Sequence, residues 1–137
     1  MQFDWNQYLT LANKLALSSG DEASLRSAIS RAYYCAFNLA LAKAKINGYR
    51  PKSDETGGTH ELLWQLYGRN NTDGICKQLA LLGPRMKFRR VRADYHDEIR
   101  RLRDEVTDAL LDAQKCVTLL AELPQDLPAD VPRTYFF

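Results

Sequence analysis

From Asp21 to Ile46 the chain contains neither glycine nor proline, and within it Leu25, Ala28, Ile29, Ala32, Ala36, Leu39 and Ala40 recur with a three- and four-residue spacing. That spacing lays them along one stripe of an α-helix, whereas a strand would need a repeat of two. Four of the seven are alanine, which lets neighbouring helices approach closely. A long central helix is therefore predicted. Ser19 stands three residues before Glu22, the spacing of a capping box, and Asn47-Gly48 supplies a stop.

The rest of the chain follows the same period. Trp5, Leu9, Ala12 and Ala16 mark a first helix that Ser19-Gly20 can end. Arg50 to Gly58 is polar, holds Pro51 and Gly57-Gly58, and reads as a mobile connection. Thr59 is placed to cap a short helix carrying Leu62, Leu63, Leu66 and Tyr67, interrupted from Gly68 to Asn71. Thr72 or Asp73 can cap the next, with Ile75, Leu79 and Leu82, which Gly83-Pro84 should kink or break. Val106, Ala109, Leu110, Ala113, Val117 and Leu120 define a last helix before Pro124. No alternating strand pattern appears. Four or five helices with short connections predict an all-α antiparallel bundle over 1–123, followed by a Pro-rich extended tail over 124–137 ending Tyr135-Phe136-Phe137.

With 45% hydrophobic and 26% charged residues among 137, the chain has the composition of a globular domain. The start Met1-Gln2-Phe3-Asp4 lacks a signal-peptide pattern, and no run reaches the ~18 apolar residues of a membrane span. Cys35, Cys76 and Cys116 lack metal-ligand spacing and read as reduced packing residues. These features together predict a cytoplasmic protein with no membrane association, metal or cofactor.

Charge is distributed unevenly. Lys77 to Arg103 carries nine Lys/Arg against three Asp/Glu, while Asp104 to Phe137 carries seven acidic residues against two basic. Such a surplus attracts a polyanion or an acidic partner. Helical phase after Pro84 separates three stripes: Met86, Arg90 and Ala93; Phe88, Val91 and Tyr95; and Arg85, Arg89, Arg92 and His96. Two apolar faces call for two neighbours, of which one is a second subunit or the aromatic tail. Arg90 lies on an apolar stripe, where a permanent cation needs an anion, either a substrate or a carboxylate such as Asp104 or Asp108. His96 is suited to proton transfer near neutral pH. His60 reads instead as a capping or surface residue. Of Tyr33 and Tyr34, one is expected in the core and the other, assigned as Tyr34, beside the substrate together with Tyr95. Arg31 is expected to pair with an acidic residue of a neighbouring helix.

Ser30-Arg31-Ala32-Tyr33-Tyr34-Cys35-Ala36-Phe37 together with Arg90-Val91-Arg92-Ala93-Asp94-Tyr95-His96 resembles the HEPN superfamily of small helical bundles, found in prokaryotic toxin–antitoxin pairs and anti-viral ribonucleases. The resemblance spans about Asp21 to Leu123, and the catalytic signature of the family, an arginine and a histidine separated by four to six residues, falls on Arg90 and His96. It implies a metal-independent endoribonuclease that attacks through the 2′-OH of RNA. It also implies a homodimer in which two copies of the motif meet in one cleft, with a cognate antitoxin as a further partner. Arg85, Arg89 and Arg92 would hold the RNA. Val91 stands where active members carry a polar residue, and Glu98 where a modifiable tyrosine occurs. The alternative is thus a catalytically silent module that binds RNA, a nucleotide or an acidic protein. On a continuous helix Arg90 and His96 would lie about 9 Å apart along the axis and on different faces, so either the helix ends near Asp94 or a two-fold axis completes the site.

Overall fold

The computed structural model describes residues 2–17, 20–50, 58–69 and 74–123. Five α-helices account for most of them: α1 (Asn6–Leu17), α2 (Glu22–Ile46), α3 (Thr59–Gly68), α4 (Gly74–Tyr95) and α5 (Leu102–Glu122). No strand occurs among the described residues, and no helix is long and apolar enough to cross a membrane. The protein is an all-α helical bundle, as the periodicity predicts. Its connection at 51–57 and tail at 124–137 lie outside the described residues.

α2 is the central member, packed against α1, α4 and α5, while α3 sits mainly on α4. Ala28, Ala32, Ala36, Ala40 and Ala44 of α2 are each 0% exposed, forming an unbroken row of small side chains one turn apart along the bundle interior. Around it pack Leu25, Ile29, Leu79, Met86, Val106, Ala109 and Ala113, in one continuous core. Cys35, Cys76 and Cys116 form no disulfide and are buried in that core, and burial pushes the thiol pKa of Cys35 up to about 11. They are packing residues.

Local signals differ from the sequence expectations at three places. The N-cap of α2 is Asp21, not Ser19: its carboxylate accepts from the Ser24 amide at 2.8 Å and from Ser24 Oγ at 2.9 Å. Ser19 itself lies outside the described residues. Thr59 is the first helical residue of α3, whose N-cap is Gly58. Most consequentially, Gly83-Pro84 does not break the chain into two helices, since α4 runs continuously through both. Pro84 is exposed, and Gly83 lies against the indole of Trp64, so burial of Trp64 on the glycine side of α4 holds together a helix that local propensity would interrupt.

Candidate functional site

Phase along α4 divides its side chains as the sequence predicts. Met86 and Ala93 are buried in the core, and Arg90, on the same stripe, is 11% exposed. Phe88 and Tyr95 face outward at 64% and 74% exposure. The third stripe faces α5, and there the structure commits the arginines. Arg85 reaches both carboxylate oxygens of Asp112, at 2.8 and 3.0 Å. Arg89 bridges Asp112 and Glu105, each at 3.1 Å, and Arg92 donates to Glu105 at 3.3 Å. Glu105 and Asp112 are seven residues apart, hence on one face of α5. Three arginines of the basic stripe are paired with two carboxylates in a ladder within the chain, which leaves one net positive charge. Its positive surplus is not the open phosphate grip inferred from the charge count.

Asp112 is the rung most worth testing. Its side chain is 14% exposed and that of Arg89 is 12% exposed, whereas Arg85 is largely in solvent. Asp112→Asn is expected to lower stability by about 1–2 kcal/mol, nearly all through Arg89, because exposed pairs contribute little. It should also raise the salt needed to elute the protein from heparin, since one negative charge is removed and Arg85 loses its carboxylate while Arg89 keeps Glu105. Unchanged melting and elution would show the ladder to be a solvated contact.

Other cations are left without carboxylates. Arg100, Arg101 and Arg103, just beyond His96, are exposed and make no ion pair among the described residues. Arg31 makes none either: its guanidinium lies 4.8 Å from the Tyr8 ring centre and 5.6 Å from that of Tyr34. The acidic partner expected for Arg31 is replaced by two aromatic faces, which attract a cation through their quadrupole.

Arg90 is held in the same manner. Its guanidinium sits 5.3 Å from the Tyr34 ring centre and 5.7 Å from that of Tyr33, and Nη1 donates to Asp94, one turn on in α4, at 3.2 Å. Neither Asp104 nor Asp108 is its partner. Its Nε is buried and makes no hydrogen bond, a condition that costs free energy and is rare in structural arginines. Tyr34 therefore stands beside Arg90, as a seat for the cation rather than an open stacking platform.

Behind Arg90 lies an aromatic cluster that includes His60. The His60 ring stacks on Phe37 with centres 4.0 Å apart, and Nδ1 is 2.7 Å from Tyr33 Oη. Trp64 Nε1 donates to the same oxygen at 3.2 Å, so donation of the phenol proton to Nδ1 satisfies all three groups. Burial pushes the Tyr33 phenol well above its usual pKa and keeps it protonated. His60 is thus a member of the Arg90 surroundings, not the surface residue expected. The signal was present: His60, Leu63, Trp64 and Tyr67 follow the i, i+3, i+4, i+7 pattern that marks one helix face.

α4 ends at Tyr95, so His96 is the first residue past the helix, its amide donating to Arg92 O at 3.0 Å and its side chain in solvent. Within one chain Arg90 and His96 do not touch. Both are nevertheless served by one face of α2: Tyr33 and Tyr34 hold the guanidinium of Arg90, and Arg26, about two turns earlier, holds the backbone around His96. Among the described residues no three His, Cys, Asp or Glu side chains converge as a metal centre requires.

No protein-family model, curated protein or solved structure matches the chain.

Proposed function

We propose that the protein is a metal-independent endoribonuclease of the toxin or anti-phage type, acting along the strip between Arg90 and His96. The observation that carries this reading is the shared face of α2, which lines up a desolvated guanidinium with an unused donor and an exposed imidazole. The resemblance of the two motifs to the HEPN pattern supports it. In the reaction His96 takes the proton of an RNA 2′-OH, the 2′-oxygen bonds to the adjacent phosphorus, and the bond from phosphorus to the 5′-oxygen breaks. That oxygen takes a proton from solvent as it leaves, and a 2′,3′-cyclic phosphate remains upstream. Arg90 offsets the charge that builds on the phosphorane. Because Arg85, Arg89 and Arg92 are paired within the chain, Arg100, Arg101 and Arg103 take over the grip on the RNA backbone. A grip of three contacts should show as a loss of roughly 2 log units of affinity per decade of salt.

A second copy of the chain fits the outer face of α4. Leu81, Pro84, Phe88, Val91 and Tyr95 alternate at three and four residues, the spacing of a coiled-coil seam, and Leu81, Phe88 and Tyr95 are 75%, 64% and 74% exposed. Beside them a cavity of about 290 Å³ is lined by Glu61, Trp64, Pro84, Lys87, Phe88 and Val91, room for an aromatic side chain of a two-fold partner. Arg90 faces away from this seam, so seam pairing leaves one strip per chain, where the family resemblance implies a shared cleft.

The test is RNA cleavage by purified protein with chelator present, alongside light scattering for size. The expected result is a dimer that cuts RNA, leaves cyclic ends and spares DNA, which lacks the nucleophile. The seam variant F88E/Y95E should be monomeric. A monomeric wild-type protein removes the dimer; a monomeric variant that still cuts shows that each strip acts alone. Pairing of the basic stripe with α5, and of Arg90 with Asp94, favours a second reading, the catalytically silent module that docks a nucleic acid, a nucleotide or an acidic partner. Intact RNA under every condition would establish that reading.

A further inference from the structure

The turn that carries His96 has no cap of its own making. Past Tyr95 the chain crosses to α5, whose N-cap, Arg101, is left-handed at φ 53° and provides no side-chain bond. The last carbonyls of α4 would ordinarily turn to water. Instead one guanidinium from α2 takes one of them, that of Ala93, together with two carbonyls of the turn beyond the helix. Arg26 Nη1 donates to the carbonyl of Ala93 at 3.0 Å and to that of His96, and Nη2 donates to the carbonyl of Asp97 at 3.0 Å. Glu22, one turn earlier in α2, lies 3.4 Å from Arg26 Nε and orients the fork, and the Arg26 side chain is 18% exposed. The His96 amide is tied to Arg92 O, so its peptide groups are fixed on both sides while the imidazole stays in solvent.

We infer that Arg26 is a positioning residue for the ribonuclease reaction: its fork clamps the turn 93–97 and sets where His96 stands relative to Arg90. The inference rests on the reading of Arg90 and His96 as the reacting pair. Three carbonyls in different directions need a planar group with several donors, which lysine, a single ammonium, does not present. The carbonyl end of a helix also carries partial negative charge, so the cation is favoured there. Loss of the clamp would leave α4 and the core intact but free the turn. A displacement of the base by about 1 Å costs on the order of 100-fold in rate.

The experiment compares the full chain with Arg26→Gln by two readouts, hydrogen exchange of the peptide covering residues 93–101 and cleavage kinetics on RNA. Exchange in that peptide is expected to quicken at least about tenfold, with α1 and α3 unchanged, because the amides of the turn lose their fixed geometry. The kcat per folded molecule should fall about 100-fold while the folded fraction, measured by circular dichroism on the same sample, stays at its wild-type value, which separates a displaced base from general loss of folded protein. If Arg26→Gln does not fold, Arg26→Lys, which keeps the charge beside Glu22 but not the fork, carries the same readouts. Wild-type exchange, or wild-type kcat, in these variants overturns the inference. A wild-type protein that cuts no RNA overturns the reading beneath it, and quickened exchange would then assign Arg26 to helix capping alone.

Discussion

Gly83→Ala is expected to lower the stability of the protein by about 2–3 kcal/mol, a drop in Tm of roughly 10 °C. In an exposed helix the same change would stabilise by up to about 1 kcal/mol, because alanine has the higher helix propensity. Here the sign reverses, since a Cβ at residue 83 would fall within the indole of Trp64. Trp64 is 2% exposed and anchored by its bond to Tyr33, so the ring has nowhere to retreat without breaking that contact. A double-mutant cycle read by thermal melting supplies an internal check: in a Trp64→Leu background, itself destabilised, the further change Gly83→Ala should cost little or nothing. Equal costs in the two backgrounds would mean that the glycine acts through backbone freedom instead.

Under the proposed ribonuclease mechanism, His96→Ala and Arg90→Ala are each expected to lower the rate of RNA cleavage by about 100- to 10,000-fold, the range associated with loss of a positioned proton-transfer or charge-stabilising group. The double variant should be little worse than the weaker single one, because both act in one transition state. Stability should separate the two. Arg90→Ala also removes contacts to Tyr33, Tyr34 and Asp94, so its melting temperature should fall, whereas His96 is exposed and its replacement should leave melting unchanged. His60→Gln supplies the contrast, perturbing the ring stack on Phe37 and the bond to Tyr33. Activity that survives His96→Ala but disappears with His60→Gln would move the proton-transfer role to the histidine beside Tyr33.

Much of the fold was legible because helical period and burial agree. The Leu25 to Ala40 stripe, the division of α4 into three faces and the Val106 to Leu120 stripe all lie where the pattern puts them. What failed depended on partners distant in sequence. Gly83-Pro84 resembled a stop because local propensity is blind to the Trp64 ring that fills the space beside the glycine. Arg85, Arg89 and Arg92 resembled an open cationic surface because a charge count does not reveal that Glu105 and Asp112 share the facing side of α5. His60, in the first turn of α3, reads as a surface residue from that position alone, whereas its spacing from Trp64 and Tyr67 puts it on the inner face. Arg26 carried no local signal, since its acceptors are backbone carbonyls 67 to 71 residues away.

The row Ala28, Ala32, Ala36, Ala40 and Ala44 has a mechanical consequence. An alanine side chain has no rotamers to lose on burial, while leucine gives up about 0.5–1 kcal/mol, so the central contacts of the bundle form without that entropic penalty. For the same reason they have no rotameric play with which to absorb a push. A displacement at one end of α2 must pass along the helix as rigid travel, as in any close-packed interior. Arg26 and the pair Tyr33 and Tyr34 ride on that one stiff rod, so the interval between the backbone of His96 and the guanidinium of Arg90 is set by the helical rise of α2. It acts as a ruler whose length the helix alone fixes.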